Sequence, residues 1–228
     1  MMIPLCNFVA FKCRVLILFV AWNSELGFQY HHAEGGAATL LLWLPKDESS
    51  KVPLFATHHL GVGGLVLNAD TESEHFNKVL VVKEHGTNMK WKLPGGLADL
   101  GEDIGQAVER EVEEETNIQS KFHSVLTIRH QHQAQFGRSD IYLICLSIAT
   151  TDKITVDREI QDAMWMNPAT LKEKCQFPTV VTAVDLLESG EIYNMGLVGR
   201  KYTPEYRKNK PPYTLFSPDI YNVISSLK

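Results

Sequence analysis

Residues 95–118 read GGLADLGEDIGQAVEREVEEETNI, and the spacing of their glycines and charges decides how the rest of the chain is read. A Pro94-Gly95-Gly96 turn after Trp91 leads into a loop in which Asp99 and Gly101 are poor helix formers, so a helix is expected to begin near Asp103 or Ile104. At about 100° per residue, Glu111 and Glu115 fall on the same face as Ile104 and Val108, with Glu114 one ridge away. The predicted helix begins with an apolar face and continues it as an acidic one.

Three carboxylates at i, i+3 and i+4 repel one another, by roughly a few tenths of a kcal/mol per pair on an exposed helix and by more where water is excluded. Arg110 can reach Glu114 one turn on, or swing back to Glu102 in the preceding loop, but one guanidinium cannot neutralise the whole group. A hard divalent cation can. Mg²⁺ or Mn²⁺ takes oxygen ligands, keeps several waters and bridges carboxylates to substrate phosphates. By itself an acidic run such as EVEEE is most often a solvated helix face; Gly96, Glu102 and Arg110 at fixed spacings set this one apart. Asn117 stands where the helix should end in the left-handed conformation, which asparagine tolerates best after glycine.

The remaining sequence bounds the setting. A chain of 228 residues with 44% hydrophobic content suits one substantial domain plus an extension. A net charge of −5 without a long basic run argues against a nucleic-acid-binding surface, though not against a nucleotide substrate whose phosphates a metal neutralises. The four cysteines, Cys6, Cys13, Cys145 and Cys175, are scattered without a Cys-x-x-Cys pair, which fits a reducing compartment and neither a zinc knuckle nor a disulfide framework. An intracellular, chiefly cytoplasmic address is the expectation, with mitochondrion and nucleus as alternatives.

Lys12 and Arg14 interrupt the apolar opening and leave an unbroken core of only residues 15–22, too short to cross a bilayer and followed by no small-residue cleavage pattern. A buried strand or helix of an extension, or an atypical start, is expected there. His31-His32 reads as a turn packed on the next domain, since adjacent histidines diverge on either a helix or a strand. Residues 38–44 read as a buried strand, 46–53 as a polar linker, and 59–67 and 78–83 as strands, with HGTN (85–88) as a hairpin-like turn. The glycines within 59–67 weaken that strand unless another backbone packs closely on it.

Beyond the acidic helix, residues 124–132 (SVLTIRHQH) and 140–149 (DIYLICLSIA) read as strands. The polar segment between them, with Arg129 and Arg138 nearby and Phe136 within it, is a candidate phosphate or base clamp. Apolar character resumes at 164–166. Helices are expected from Pro168 to about Lys174 and over 179–188, the second burying Val180, Ala183, Val184 and Leu187. From residue 196 the text is rich in Pro, Lys and Tyr without periodicity and reads as an irregular tail. The expected division is 1–53 as N-terminal extension, 54–195 as the principal domain and 196–228 as tail.

Taken with its neighbours, the quoted stretch resembles the Nudix box: Gly96, Glu102, Arg110, Glu111, Val112, Glu114, Glu115 and Ile118 stand in register, and Asn117 replaces the last glycine. WKLPGG before it, RHQHQAQFGRSDIYLIC and AMWMNP after it, and HHAEGGAATLLLWLP upstream resemble the animal Nudix proteins related to the fibroblast-growth-factor antisense product and the plant Nudix hydrolases acting on ADP-ribose or NADH. The resemblance covers roughly residues 27–195. It implies an α/β/α sandwich around a mixed β-sheet, preceded by a small N-terminal domain of which the segment before residue 27 is expected to be a partial version. It also implies metal ligation by Glu111, Glu114 and Glu115 with the carbonyl of Gly95, and an Arg110–Glu102 ion pair that orients the loop against the helix.

The expected reaction is metal-dependent hydrolysis of a nucleoside diphosphate linked to another moiety, such as ADP-ribose or NADH. Glu111, Glu115 or Glu159 could take the proton from water, and Arg129, Phe136 and Arg138 could hold the substrate. Alternatives of other kinds are a binding or regulatory module with little turnover, and hydrolysis of capped RNA, which normally wants a basic groove. The expected partner is a nucleotide-type small molecule with no membrane, and a homodimer is left open.

Overall fold

The computed structural model describes residues 8–14, 25–86, 90–175, 177–203 and 212–218. The apolar run 15–22 and the end of the HGTN turn lie outside them. The chain divides into two compact units, Met1–Thr57 and His58–Lys228. Among the described residues no helix is long and apolar enough to cross a membrane.

The first unit is a three-stranded antiparallel sheet of β1 (Phe8–Arg14), β2 (Gln29–Glu34) and β3 (Ala37–Trp43), in the order β1-β3-β2. The turn expected at His31-His32 is instead part of β2. The Gly35-Gly36 pair forms a tight hairpin and draws both flanks into antiparallel pairing, with a bulge between Tyr30 and His32. That bulge lets both imidazoles lie against Phe55, His32 stacked on it at 4.3 Å.

The second unit is built on a seven-stranded mixed sheet. Its strands are β4 (His58–Leu67), β5 (Val79–Glu84), β6 (Ser120–Gln131), β7 (Ser139–Ala149), β8 (Ile160–Met166), β9 (Leu197–Tyr202) and β10 (Tyr213–Pro218). They lie in the order β10-β9-β6-β7-β4-β5-β8, with β4 and β7 parallel. Helix α1 (Ile104–Thr116) packs on one face through Ala107, Val108 and Val112, which meet Val62, Val66, Leu143 and Cys145 in a fully buried layer. Helices α2 (Pro168–Lys174) and α3 (Pro178–Glu188) cover the other, where Leu171, Val180, Ala183 and Val184 meet Leu65, Val81, Ile144 and Leu146. This is the α/β/α sandwich. Burying each Val of α1 is worth about 1.5–3 kcal/mol, so packing, not propensity, holds this glutamate-rich helix.

The irregular tail expected from residue 196 is corrected by the structure. After the one-turn helix α4 (Ile192–Met195), β9 and β10 pair antiparallel and extend the sheet beside β6. Their sequences, LVGRKY and YTLFSP, carry too few apolar residues to announce strands. Antiparallel strands at the end of a sheet need only one apolar side, and Leu197 of β9 and Phe216 of the edge strand β10 supply it by packing into the layer beneath α1.

Candidate active site

The central strand β4 has two partners along one edge. Its C-terminal end pairs with β5 at Leu67↔Val79, but over its first half the strands part and the loop before α1 fills the gap. Val62 and Gly64 N–H donate to the carbonyls of Gly96 (2.9 Å) and Pro94 (2.8 Å), Ala98 N–H donates to Leu60, and Lys92 exchanges two hydrogen bonds with Val82. The backbone that must approach the glycine-bearing strand closely is therefore this loop, and on the same strand the Tyr142 ring lies directly over Gly61 and Gly63.

Gly95 is fixed by this wedge. Its φ is +149°, and a Cβ there would stand 2.1 Å from the Val62 carbonyl oxygen. Only glycine fits, and the conformation turns its N–H onto Glu115 Oε2 at 2.9 Å. Lys92 Nζ lies 3.6 Å from the other oxygen of Glu115 and also pairs with Glu84. Burial outweighs both partners and pushes the Glu115 carboxyl up to about 7.

Arg110 organises the other carboxylates. Its Nε and Nη2 donate to the two oxygens of Glu102, each at 2.9 Å, Nη1 donates to Glu111 and Glu114, also at 2.9 Å, and Nη2 reaches the Leu97 carbonyl at 3.1 Å. The hydrogen bonds to Glu102 come first among the causes that raise the guanidinium above its ordinary value, and Arg110 in turn holds the Glu102 carboxyl below the usual range. Glu102 also accepts from Asp99 N–H at 2.9 Å, so a single side chain ties loop to helix. The helix N-terminus carries a capping box of Asp103 and Gln106, and Asn117 ends the helix with φ 58° and ψ 17°, its N–H on the Glu113 carbonyl.

The donor set suits a hard cation. Glu111, Glu114 and Glu115 offer carboxylate oxygens only, and the Glu111 carboxylate lies so close over Gly96 that a Cβ there would meet it at 2.7 Å. Among the described residues no three metal-directed side chains already converge; Arg110 holds Glu111 and Glu114, and Gly95 holds Glu115.

Beside Gly96 and Leu97 opens a cleft of about 440 Å³ lined by His59, Arg129, Gln131, Gln135, Asp140 and Tyr142. Arg129 Nη2 donates to the buried Asp140 at 2.5 Å, and its guanidinium stacks on the Tyr142 ring at 4.9 Å. Its Nε is buried with no hydrogen-bond partner among the described residues. Phe136, 91% exposed in a left-handed turn, sits edge-on to His59 at the rim. Arg138 is different: its backbone closes the turn against Ala134 and Gln135, and its exposed side chain is not part of the cleft wall. Glu159 is exposed in the turn into β8. The chain just before it is stitched to the end of α1 by Thr155 N–H on Thr116 and Asp157 N–H on Glu115, and the next residue, Ile160, pairs with Glu84.

Sequence reasoning did not single out Lys92, Glu84, His59, Gln131, Asp140 or Tyr142. A signal for three of them was present: on paired strands with period two, Gln131, Asp140 and Tyr142 share a face with Arg129, which the sequence did single out.

The family model described as NUDIX domain matches residues 57–183. "Nucleoside diphosphate-linked moiety X motif 6" of Xenopus laevis is 52% identical over 122 residues, covering 52% of this chain and 54% of that protein. "Nudix hydrolase 8" of Arabidopsis thaliana is 41% identical over 153 residues, 65% of this chain and 40% of that one. A solved structure, "NUDIX hydrolase from Nitrosomonas europaea", aligns with a TM-score of 0.48 and 25% identity over 59% of this chain and 91% of its own. The chain thus spans about half the length, or less, of these two curated relatives. With a family model matched over more than half of its residues, and over the whole of the loop and helix that carry the carboxylates, the chain belongs to the NUDIX domain family.

Proposed function

We propose that the protein hydrolyses the diphosphate linkage of a nucleoside diphosphate joined to another moiety, with ADP-ribose and NADH as the first substrates to examine. The observation that carries this reading is the adjacency of two features: the glutamates on α1, held by Arg110 and Gly95, and an open cleft that shares Gly96 and Leu97 with their loop. Glu111, Glu114 and Glu115, with the Gly95 carbonyl, would hold Mg²⁺ or Mn²⁺. When bound, such an ion supplies charge neutralisation at the diphosphate and a more acidic water.

The chain's own residues do the rest. Arg110 withdraws from Glu111 and Glu114 at no loss of loop geometry, because its bidentate grip on Glu102 stays. Gly95 N–H fixes the orientation of Glu115. The proton from water passes to a carboxylate, with Glu111 and Glu115 on the helix and Glu159 at the β8 turn as the acceptors in reach of a test. In the cleft, Tyr142 and Asp140 hold the Arg129 guanidinium flat, which presents its edge to an anionic or carbonyl group of the substrate. Phe136 and His59 offer a rim on which a base can stack.

The test is a screen of the purified protein with Mg²⁺ and with Mn²⁺ against ADP-ribose, NADH, dinucleoside polyphosphates, CoA and capped RNA, beside Glu114→Gln. The expected result is turnover on a nucleoside diphosphate derivative that drops at least about a hundredfold in the variant. Undiminished turnover in Glu114→Gln would remove the metal assignment. Binding without turnover on every compound would support a regulatory module instead.

A further inference from the structure

The central strand β4 carries glycine at 61 and 63, where the lack of a side chain weakens a strand, and both positions serve one residue. His59, Gly61 and Gly63 alternate onto the cleft face of β4, and the parallel register sets His59 beside Asp140 and Gly61 beside Tyr142 of β7. A Cβ on Gly61 would meet the Tyr142 ring at 2.7 Å, and a Cβ on Gly63 would meet the Tyr142 hydroxyl oxygen at 2.6 Å. The ring therefore lies along the strand in a slot that the two glycines leave open, with its hydroxyl at the Gly63 end.

That end borders the loop that orients the glutamates. A Cβ on Gly95 would stand 2.7 Å from Gly63 Cα, and Gly95 N–H holds Glu115. The Arg129 guanidinium stacks on the same ring, 4.9 Å from its centre. Burial, followed by the Glu115 carboxylate, pushes the Tyr142 hydroxyl above its ordinary value against the opposing pull of Arg129, so it stays a neutral donor. A tyrosine hydroxyl drawn into a protein usually finds a partner there. Tyr142 Oη has none among the described residues, and the side chain lines the cleft. The ring packs on the core layer beneath α2 and α3 and carries the Arg129 stack, tasks a phenylalanine would perform equally well. The hydroxyl is what packing leaves unexplained.

Resting on the reading of this cleft as the seat of the diphosphate, we propose that the Tyr142 hydroxyl binds substrate directly, donating a hydrogen bond to a non-bridging oxygen of the diphosphate between Arg129 and the glutamates of α1. A phenol suits this place. Another cation so near Glu115 would compete with a metal ion for the carboxylates, whereas a neutral O–H adds a charge-assisted hydrogen bond to a phosphate oxygen without that competition. The glycines at 61 and 63 are then specificity features of the strand: they admit the ring and set the hydroxyl where the phosphorus-bound oxygens pass. The other role open to the hydroxyl is contact with the nucleoside or with water alone, and the experiment separates these.

Tyr142→Phe removes the hydroxyl and keeps the ring, its slot and the Arg129 stack. Full-length wild type and variant are titrated calorimetrically, with Mg²⁺ present, against ADP, against ADP-ribose whose oxygen between the two phosphorus atoms is replaced by methylene so that it cannot be cleaved, and against adenosine. Both diphosphates are expected to bind the variant about tenfold more weakly than the wild type, while adenosine treats the two proteins alike. Equal affinity of the two proteins for the methylene compound, an equal loss for adenosine, or no binding of either diphosphate to the wild type overturns the proposal. Turnover tests the underlying reading separately. A wild type that cleaves no screened substrate yet binds the methylene compound through Tyr142 removes the hydrolase and keeps the hydroxyl contact; cleavage of ADP-ribose with the same kcat/KM in Tyr142→Phe keeps the hydrolase and overturns the contact.

Discussion

Gly95 N–H donates to Glu115 Oε2 at 2.9 Å, across 20 residues of chain, from a backbone position that no other residue can occupy. The hydrogen bond couples a constraint of the sheet to the orientation of a site carboxylate. Gly95→Ala would force its Cβ onto the Val62 carbonyl at 2.1 Å. The variant is expected to lose about 3–5 kcal/mol, or to expel the loop from the gap beside β4. Urea denaturation and amide exchange at Val62 and Gly64, whose N–H groups the loop satisfies, measure this directly. Exchange at those two amides as slow as in the wild type would show that the wedge is not what holds them.

Arg110 serves four oxygen acceptors on three carboxylates and one on a carbonyl, a geometry that a lysine cannot copy. Arg110→Lys is expected to cost about 1–3 kcal/mol and to reduce kcat about a hundredfold, because the loop carrying Gly95 and Gly96 loses its tie to the helix. KM should move less than kcat. A variant with wild-type kcat and a raised KM would place Arg110 in substrate binding instead.

The acidic helix, its start near Ile104 and its left-handed end at Asn117 were legible because each rests on local chemistry: capping, periodicity and a tolerated αL residue. Both central strands after the box were legible from their apolar content, although β6 begins earlier, at Ser120. The β9-β10 pair was not, since short antiparallel strands with one apolar face carry a weak pattern. Nor was the service of Lys92 to both Glu84 and Glu115, which depends on β4 and β5 parting around the loop. The Arg129–Asp140–Tyr142 arrangement lies between these cases: Arg129 drew notice as a charge, and only strand register could join it to its partners.

Asn117 stands at φ 58°, where glycine pays no steric penalty. Asn117→Gly is therefore expected to be neutral to about 1 kcal/mol stabilising, and Asn117→Ala to be about 1 kcal/mol destabilising. Thermal unfolding of the two variants checks the pair. Turnover should be nearly unaffected by the glycine, since Glu113, whose carbonyl accepts the Asn117 N–H, belongs to neither the Arg110 cluster nor the Gly95 contact.

Arg129 is held from two sides, by Asp140 and by the Tyr142 ring, with its Nε buried at the cleft. Arg129→Ala is expected to raise KM for the substrate about tenfold, equivalent to roughly 1.4 kcal/mol, with kcat changed by less. Asp140→Asn should give a smaller effect in the same direction by loosening the guanidinium. An unchanged KM in both variants would separate this cleft from substrate binding.

The Glu102–Arg110 pair makes stability depend on acidity in a definite direction. Hydrogen bonds from Arg110 hold the Glu102 carboxyl below its ordinary value of 4.5 in the folded protein. A carboxyl depressed by folding binds protons more tightly in the unfolded chain, so the stability it contributes is complete above the unfolded value and disappears as pH falls through the folded one. Wild-type protein without added metal should therefore lose stability more steeply below pH 4.5 than Glu102→Gln, while the variant is the less stable of the two at neutral pH. Denaturant midpoints measured from pH 7 downward give both curves. They should converge in acid; curves that stay parallel through this range would mean that Glu102 titrates alike in the folded and unfolded chains and that the guanidinium grip contributes nothing to holding the loop.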